Sequence, residues 1–411
     1  MLFYGLVGEK LSHSFSKRIH SMLGSYFYDL FSVDESEFDE LIEKREFGGL
    51  NITIPYKQRV IPLCDTLSDN ARRIGAVNTV VNKNGKLFGY NTDYLGFNFM
   101  LKEKGIELCG KKVLILGSGG TSLTATACAQ DAGAREIVVV SRKGKNNYEN
   151  IEKHFDSEII INTTPVGMFP NNSKSPVKLS CFTKCNGVVD VIYNPLRTAL
   201  LLQAEELGIP YSNGLLMLVA QAKFASELFF DTQIDDKKIT QIYNALLYEL
   251  SNIVLIGMPS CGKTSIGKAI ASELNRPFID TDILVEQNAK MPIPEIFEKY
   301  GEPEFRRLEE IAVKSAGAKN GVVIATGGGA ILSKKNYDSL KQNGNIVFIK
   351  RNIELLSTNG RPLSRNAEAI KTLHSQRLPV YEKCCDISIL NNHTVESCAK
   401  EILKKLEEAV L

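Results

Sequence analysis

The sequence has no large excess of either charge, no long apolar run and no signal segment, and each absence excludes a class of protein. Its 49 Lys and Arg residues nearly balance 47 Asp and Glu residues, and the net charge of +2 argues against a protein that coats nucleic acid. No segment approaches the roughly 20 apolar residues of a membrane span, and the amino terminus lacks the basic and apolar regions of a signal peptide. We therefore expect a cytoplasmic protein whose partners are small molecules, with neither nucleic acid nor membrane among them.

A zinc-type pattern is also absent. The nine cysteines are an odd number at irregular spacings, without a CxxC or Cys/His arrangement. We expect reduced thiols of a cytosolic protein. Cys261 differs because it lies in a glycine turn before a helix, where a thiolate would be stabilised, but a small residue that fills a tight turn is the simpler interpretation.

Alternating strand and helix patterns indicate an α/β protein. The stretch KVLILG, residues 112–117, is followed by the helix-like TSLTATACAQDAGA and then by REIVVVSR, which together form a βαβ unit. These strands are continuously apolar and β-branched, as is typical of a parallel sheet covered on both faces. At Ser251 the pattern restarts with a new strand and helix, so we place a domain boundary near residue 250.

The stretch GMPSCGKT, Gly257–Thr264, matches the phosphate-binding pattern G-x-x-x-x-G-K-[ST], with a strand before it and a helix after it. Its glycines, Gly257 and Gly262, let the backbone approach phosphate oxygens, and Lys263 can reach the β- and γ-phosphates. The Thr264 hydroxyl can contact Mg²⁺. The sequence therefore predicts a P-loop phosphotransferase.

Three later segments carry groups that suit an acceptor site. FIDTD places Asp280 and Asp282 at the end of the next strand, where we expect them on one face, one for hydrated Mg²⁺ and one for a substrate hydroxyl proton. GEPEFRRLE places Arg306 and Glu309 at helical i, i+3 spacing, so that the acid can orient the cation. ATGGGA lets a ligand approach the backbone. Each feature alone is more often structural, but together they favour a site.

Residues 252–411 resemble shikimate kinase over essentially the whole length of that family. The P-loop, FIDTD, GEPEFRRLE, TGGGA, GRPL and QRLPVYE occur in the family's order. The resemblance implies a nucleoside-monophosphate-kinase-like α/β domain with a parallel sheet, which uses ATP and Mg²⁺.

The resemblance also implies individual roles in this kinase-like domain. The groups that it implies for shikimate are Asp282, Arg306, Gly328, Gly329 and Arg377, with the two arginines on the carboxylate. Lys263 and Arg361 are implied to neutralise the transferred phosphoryl group, and Asp282 is also a catalytic group. The implied nucleotide-binding residues are Gly257, Gly262, Lys263, Thr264 and Ser265, and the implied metal-binding residues are Thr264 and Asp280.

The earlier turn GSGGTS, after the strand KVLIL, is a second phosphate-binding candidate. Such turns are common, but the βαβ context favours a dinucleotide site. About 20 residues later, where a carboxylate would select NAD, the strand ends in Ser141, Arg142 and Lys143. A hydroxyl and positive charge favour NADP. A solvated basic loop would be the better interpretation if the glycine turn were absent.

The segments before residue 100 supply polar groups for the chemistry of a dehydrogenase. A lysine near an aspartate can run acid and base chemistry, since a hydride arriving at carbon requires a proton at oxygen, and Lys57 and Asp93 are such a pair. Ser14 and Ser16 face one side if the chain is extended. We also expect Asp93 to cap the helix that follows it.

Residues 1–250 resemble shikimate dehydrogenase. The serine pair, NITIPYK, GAVNT, GYNTDYLG, the GSGG turn, INTTPVGM, DVIYNP and GLLMLVAQA follow the family's order. The resemblance implies an α/β substrate lobe, residues 1–100 and 215–250, and a Rossmann-type NADP lobe, residues 101–214. It implies a substrate site formed by Ser14, Ser16, Asn51, Thr53, Asn78, Asp93 and Gln221, with Lys57 and Asp93 as the catalytic pair. The implied NADP(H) ligands are Gly117, Gly119, Gly120, Ser141 and Arg142.

The two resemblances together imply a bifunctional enzyme of chorismate and aromatic amino acid biosynthesis. One half reduces 3-dehydroshikimate to shikimate with NADPH, and the other phosphorylates shikimate to shikimate 3-phosphate with ATP. A metabolite-sensing regulator built from inactive copies is an alternative, but it should have lost catalytic groups that are present here. A dehydrogenase half that prefers quinate or accepts NAD is a narrower alternative, and Arg142 argues against NAD.

Arg142→Ala tests the coenzyme assignment. Only NADPH carries the 2′-phosphate, so the substitution should weaken the use of NADPH far more than that of NADH. The measurement is the KM of the reductase for each coenzyme. An equal loss with both coenzymes would mean that this arginine does not contact the 2′-phosphate.

Overall fold

The computed structural model of the chain describes residues 2–11, 14–356 and 367–410. The chain divides into two compact units, the first comprising residues 1–194 and 203–243 and the second comprising residues 195–202 and 244–411. The α/β class expected from the sequence is confirmed, with three sheets and helices between their strands. Within the described ranges, no helix has both the length and the apolar character needed to cross a membrane.

The strands are numbered in chain order. They are β1 (Phe3–Gly8), β2 (Tyr28–Ser32), β3 (Phe47–Ile52), β4 (Thr66–Leu67), β5 (Thr79–Lys83), β6 (Lys86–Tyr90), β7 (Lys112–Leu116), β8 (Glu136–Val140), β9 (Ile159–Asn162), β10 (Gly187–Asp190), β11 (Tyr211–Ser212), β12 (Asn252–Ile256), β13 (Phe278–Asp280), β14 (Val323–Ala325), β15 (Gly344–Lys350) and β16 (Ile387–Leu390).

The helices are numbered in the same way. They are α1 (Ser16–Leu23), α2 (Glu35–Lys44), α3 (Asp69–Ile74), α4 (Thr92–Glu103), α5 (Gly120–Asp131), α6 (Ala199–Glu206), α7 (Leu215–Phe230), α8 (Lys237–Leu250), α9 (Lys263–Leu274), α10 (Thr281–Ala289), α11 (Ile293–Gly317), α12 (Lys334–Lys341), α13 (Ala367–Cys384) and α14 (Val395–Val410). α11 is kinked at Gly301, whose φ is 79°.

The first sheet of the first unit has six strands in the order β2-β1-β3-β5-β6-β4. β5 is antiparallel to β3 and β6, whereas β1, β2 and β3 are parallel to one another. The carboxyl ends of β1, β3 and β6 therefore share one edge with the amino end of β5. Asn51, Asn78 and Asp93 lie at this edge.

The packing of α7 on α4 brings a glutamine to the same edge. The helices approach closely because residue 96 is glycine, and a Cβ there would lie 2.7 Å from the Met217 carbonyl oxygen. Gln221 of α7 consequently comes within 3.4 Å of Asn78 Nδ2 and 3.5 Å of Thr92 Oγ1. The packing of two helices thus joins residues far apart in the sequence.

The second sheet, also in the first unit, has five parallel strands in the order β11-β10-β9-β7-β8. β7 is buried along its whole length, which explains the apolar run VLIL that follows Lys112. Its neighbours are the next strand in sequence on one side and a later strand on the other. Ligands of open α/β sheets bind beyond the carboxyl end of such a strand, and the GSGG turn follows β7 there.

The third sheet lies in the second unit, and in it too a glycine turn follows a central parallel strand. Its five parallel strands have the order β13-β14-β12-β15-β16, with β12 between β14 and β15. The P-loop leaves the carboxyl end of β12, again at the point where the strand order reverses.

Two local expectations from the sequence are wrong. Asp93 does not cap α4, because the cap is Asn91, whose side chain accepts the Tyr94 N–H at 3.0 Å. Asp93 instead lies in the first turn of the helix. Asp280 and Asp282 do not share a strand face, because β13 ends at Asp280 and the Asp280 side chain caps α10 by accepting the Asp282 N–H at 3.1 Å.

Candidate active sites

The centre of the first site is an ion pair between Lys57 and Asp93. Lys57 Nζ lies 2.5 Å from Asp93 Oδ2, and the two side chains are only 15% and 10% exposed. Lys57 follows β3 and Asp93 follows β6, so the sheet edge brings together residues that are 36 positions apart. A shielded ammonium and carboxylate in contact can pass a proton to or from a bound oxygen.

A buried amide network adjoins this ion pair. Asn51 Oδ1 accepts the Tyr28 hydroxyl at 2.7 Å, and Asn51 Nδ2 donates to Thr79 Oγ1 at 3.1 Å. Asn78 Oδ1 accepts the Thr92 N–H at 2.6 Å. Because these buried polar groups satisfy one another, each amide is fixed in orientation.

The serine pair is close but not extended. Ser16 is the first residue of α1, and Phe15 before it has helical φ and ψ, so the chain is not extended between the two serines. The two hydroxyls nevertheless meet, with Ser14 Oγ and Ser16 Oγ 3.1 Å apart. Thr53, the remaining residue expected here, follows β3 directly and is half-buried.

The GSGG turn lies against this site. Gly117 has φ of 113°, a region that favours glycine, and a Cβ there would lie 2.6 Å from Thr163 Oγ1. Gly119 is the N-cap of α5 and provides no side-chain cap, which leaves the helix N-terminus suited to a phosphate. A Cβ at Gly120 would lie 3.6 Å from Lys57 Cδ, so the turn and the lysine are neighbours.

Ser141 and Arg142 lie just after β8, at the carboxyl edge of the second sheet. The Ser141 N–H donates to the Asn146 carbonyl at 3.1 Å, which closes a short loop, and the Arg142 side chain is exposed. Burial raises the pKa of Tyr148, and the positive charge of Arg142 opposes this rise. No local pattern in the sequence identifies Tyr148 as a group within electrostatic range of this arginine.

The P-loop of the second unit is held through its carbonyl groups. Lys263 is buried, and its Nζ donates to the carbonyls of Gly257 and Met258 at 2.9 Å each. Asn391 Nδ2 donates to the Cys261 carbonyl at 2.7 Å. Cys261 is 1% exposed and fills the turn, as the simpler interpretation of this thiol expects.

Thr264 and Asp280 form an oxygen-rich pair beside the loop. Thr264 Oγ1 donates to Asp280 Oδ2 at 2.8 Å. Hydroxyl and carboxylate oxygens suit Mg²⁺, which keeps several waters and usually takes one or two carboxylates together with phosphate. Among the described residues, no group of three or more His, Cys, Asp or Glu side chains could hold a metal without such help.

A cavity of about 510 Å³ extends from the P-loop to α11 and α13. The sequence-predicted residues that line it are Gly262, Lys263, Thr264, Ser265, Asp280, Asp282, Arg306, Gly328, Gly329 and Arg377. Gly257 does not line the cavity. Its φ is 142°, and a Cβ there would lie 2.6 Å from the Ile349 carbonyl oxygen. Arg361 lies outside the residues that the structure describes.

Glycines after β14 make room for the charged groups of this cavity. A Cβ at Gly327 would lie 2.5 Å from Asp282 Oδ1, and one at Gly329 would lie 2.7 Å from Arg306 Nη1. Arg306 Nη1 in turn donates to Glu309 Oε2 at 2.9 Å, which confirms the expected i, i+3 pair. The glycines thus let a ligand and these side chains share a narrow space.

Several groups at the two sites were missed by sequence reasoning. Tyr28 and Thr92 bind the amides of the first site, and the Tyr193 ring packs at a tilt of 51° against Phe15, with ring centroids 5.5 Å apart. In the second site, Tyr381 donates to the Gly328 carbonyl at 2.5 Å, and burial raises its pKa to about 12. Each acts through a partner distant in sequence, so no local pattern reveals its role.

Comparisons with known proteins give the same assignment for both halves. Residues 259–407 match the family model described as shikimate kinase, and residues 6–80 match the shikimate dehydrogenase substrate binding domain. A shikimate dehydrogenase (NADP(+)) of Clostridium beijerinckii is 38% identical over 264 residues, which are 59% of this chain and 97% of that protein.

Solved structures resemble the same part of the chain. Shikimate dehydrogenase 1 of Peptoclostridium difficile is 39% identical with a TM-score of 0.57, and the match covers 60% of this chain and 98% of that one. The shikimate 5-dehydrogenase of Thermus thermophilus, solved with NADP(H) and shikimate, is 30% identical with a TM-score of 0.55 and coverage of 60% and 99%.

Glu309→Gln tests the electrostatics of the second site. Burial raises the pKa of the Glu309 carboxyl, the negative charge of Asp282 adds to the rise, and Arg306 opposes it. The folded protein therefore binds this proton more tightly than the unfolded chain, whose pKa is about 4.3. Ionisation thus destabilises the folded state as the pH rises through that value.

We expect Glu309→Gln to gain stability relative to the original protein as the pH rises above about 4, because the variant has no charge to bury. Urea unfolding of both proteins across this range measures the difference. A relative loss of stability that deepens with rising pH would show that the Arg306 ion pair outweighs burial.

Proposed function

The chain belongs to the shikimate dehydrogenase family and carries a shikimate kinase domain, and we propose that it reduces 3-dehydroshikimate and phosphorylates the shikimate that forms. It is a bifunctional shikimate-pathway enzyme, with NADP-dependent oxidoreductase and kinase activities. The observation that carries the proposal is the presence in one chain of the Lys57–Asp93 pair at 2.5 Å and of a complete P-loop with Lys263. A regulator without turnover would not need to keep both.

We propose that residues 1–250 form the dehydrogenase, with Lys57 as the proton donor for the substrate carbonyl. NADPH, when bound, supplies the hydride that reaches the carbonyl carbon. Lys57 holds a proton near the carbonyl oxygen. Asp93 accepts a hydrogen bond from the Lys57 ammonium, which orients it and stabilises its positive charge. The proton on oxygen and the hydride on carbon together convert the ketone to an alcohol.

The other polar groups of this half orient the substrate. The amides of Asn51, Asn78 and Gln221 are fixed by buried hydrogen bonds and suit hydroxyl groups of the ring. Ser14 and Ser16, at the N-terminus of α1, suit the carboxylate. Thr53 completes this side of the site. The coenzyme ligands would be Gly117, Gly119, Gly120, Ser141 and Arg142.

We propose that residues 252–411 form the kinase, with Asp282 accepting the proton of the attacking hydroxyl. Arg306 and Arg377 suit the shikimate carboxylate, and Glu309 holds Arg306 in place at 2.9 Å. Gly328 and Gly329 keep the space for the ring. Lys263, with Arg361, would neutralise the transferred phosphoryl group.

Mg²⁺, when bound, supplies charge that offsets the phosphate oxygens of ATP. Thr264 and Asp280 would hold the ion through their side-chain oxygens, since Thr264 Oγ1 and Asp280 Oδ2 already lie 2.8 Å apart. Gly257, Gly262 and Ser265 would complete the nucleotide-binding loop.

We also propose a cytoplasmic location. All nine cysteines are free thiols, among them Cys64 and Cys109, as is usual for proteins of the reducing cytoplasm.

Paired substitutions test the two assignments. Lys57→Ala should abolish NADPH oxidation with 3-dehydroshikimate and leave shikimate phosphorylation active, because the lysine lies only in the first site. Lys263→Ala should do the reverse. Each activity is measured separately on both variants. The activity that each variant keeps shows that its substitution has not unfolded the other half of the chain. Retained reduction by Lys57→Ala would contradict the assignment of this lysine.

A further inference from the structure

One arginine at the nucleotide end of the kinase cavity has no role in the function proposed above. Arg351 follows β15 directly, and β15 lies beside β12, the strand that leads into the P-loop. Its side chain lines the same cavity as Lys263 and Thr264. Arg351 Nη1 donates to the carbonyl of Ser260, at 3.3 Å.

The loop residue that Arg351 contacts has an unusual conformation. Ser260 has φ of 64°, in the left-handed region that residues with a Cβ rarely adopt. Its carbonyl is one of four in the loop that bind side-chain donors, the others being bound by Lys263 and Asn391. Because the C=O and the following N–H of a trans peptide point in opposite directions, holding the Ser260 carbonyl also fixes the Cys261 N–H.

The donors of Arg351 are only partly used. Its Nε–H is buried and has no hydrogen-bond partner among the described residues, and within those residues no carboxylate pairs with the guanidinium. Arg276 differs, because its two terminal nitrogens donate to the carbonyls of Ser251 and Tyr248 at 3.0 and 2.8 Å. Arg306 is likewise bound by two glutamates. An arginine that lines a phosphate-binding cavity without an acidic partner retains its charge for an anion.

We propose that Arg351 is a nucleotide-binding residue of the kinase, which donates to the polyphosphate of ATP while it supports the P-loop at Ser260. The polyphosphate offers anionic acceptors for the donors that the described residues leave unused. This inference rests on the proposed kinase function for its ligand. The contact belongs to the nucleotide, so it should affect ATP and ADP and not the carboxylate-bearing acceptor.

Arg351→Met keeps most of the apolar stem and removes the charge. Calorimetric titration of the full chain with ADP and Mg²⁺ should show an affinity about ten- to a hundredfold weaker, as expected for the loss of charge-assisted hydrogen bonds. The KM for ATP should rise similarly, with the KM for shikimate nearly unchanged. The unchanged KM for shikimate reports that the kinase unit, which carries the substitution, is folded.

Lys350→Met is the matched control. Lys350 is the residue before Arg351 and the last of β15, its Nζ lies 3.1 Å from Glu382 Oε1, and it does not line the cavity. ADP affinity should be unchanged in this variant. A loss equal to that of Arg351→Met would overturn the proposal, because it would reflect general charge and not a contact.

Adding Ser260→Gly to Arg351→Met separates binding from loop support. Glycine adopts φ of 64° without strain, so it should restore ADP affinity if Arg351 only stabilises the loop. Failure of the rescue supports the proposal, and full rescue overturns it, as does unchanged ADP affinity in Arg351→Met alone. ADP binding needs no turnover, so a chain that binds ADP through Arg351 but phosphorylates no shikimate would contradict the proposed function and leave this inference intact.

Discussion

The burial of parallel strands on both faces governs where this molecule can carry polar chemistry. β7, β9, β10 and β12 are buried along their whole lengths, and their side chains are small or apolar except at one end of each strand, where Lys112, Asn162, Asp190 and Asn252 lie. Polar side chains can then enter only where a strand ends. Both candidate sites are built at strand ends of this kind, along the carboxyl edges of the sheets.

The same constraint explains why each glycine turn follows a central strand. In the second and third sheets, β7 and β12 each have neighbours on opposite sides that are reached by crossovers in opposite directions. These crossovers leave a crevice beyond the strand end, and the helix that follows directs its N-terminus into it. The same arrangement of central strand, glycine turn and helix N-terminus can therefore bind a dinucleotide in one sheet and a nucleoside triphosphate in the other.

The first sheet uses its edge differently, because one of its strands is reversed. β5 is antiparallel to β3 and β6, so its amino end and their carboxyl ends coincide. Asn78 before β5 thereby joins Asn51 at the end of β3 and Asp93 after β6. The result is a compact set of amides and one ion pair, which suits a small polar ring better than a phosphate.

The parts of the two sites that the sequence predicts are those defined by local patterns. The P-loop and the Arg306–Glu309 pair depend on spacing along one turn or helix, and both form as expected. The Asn91 cap was missed because Asn91 and Asp93 have similar cap propensity, and the helical start at Ser16 was missed because its N-cap, Phe15, makes no side-chain cap and so leaves no start signal. Arg351 could not be predicted, because its contact with Ser260 joins residues 91 positions apart.

The central claim is that one chain carries out reduction and phosphorylation in sequence. The most direct measurement supplies the purified protein with 3-dehydroshikimate, ATP, Mg²⁺ and NADPH that carries deuterium at both positions of nicotinamide C4, and identifies the product by mass spectrometry. The account predicts shikimate 3-phosphate that carries both the deuterium and a phosphoryl group from ATP. Deuterated shikimate that accumulates without phosphate, or no turnover at all, would contradict it.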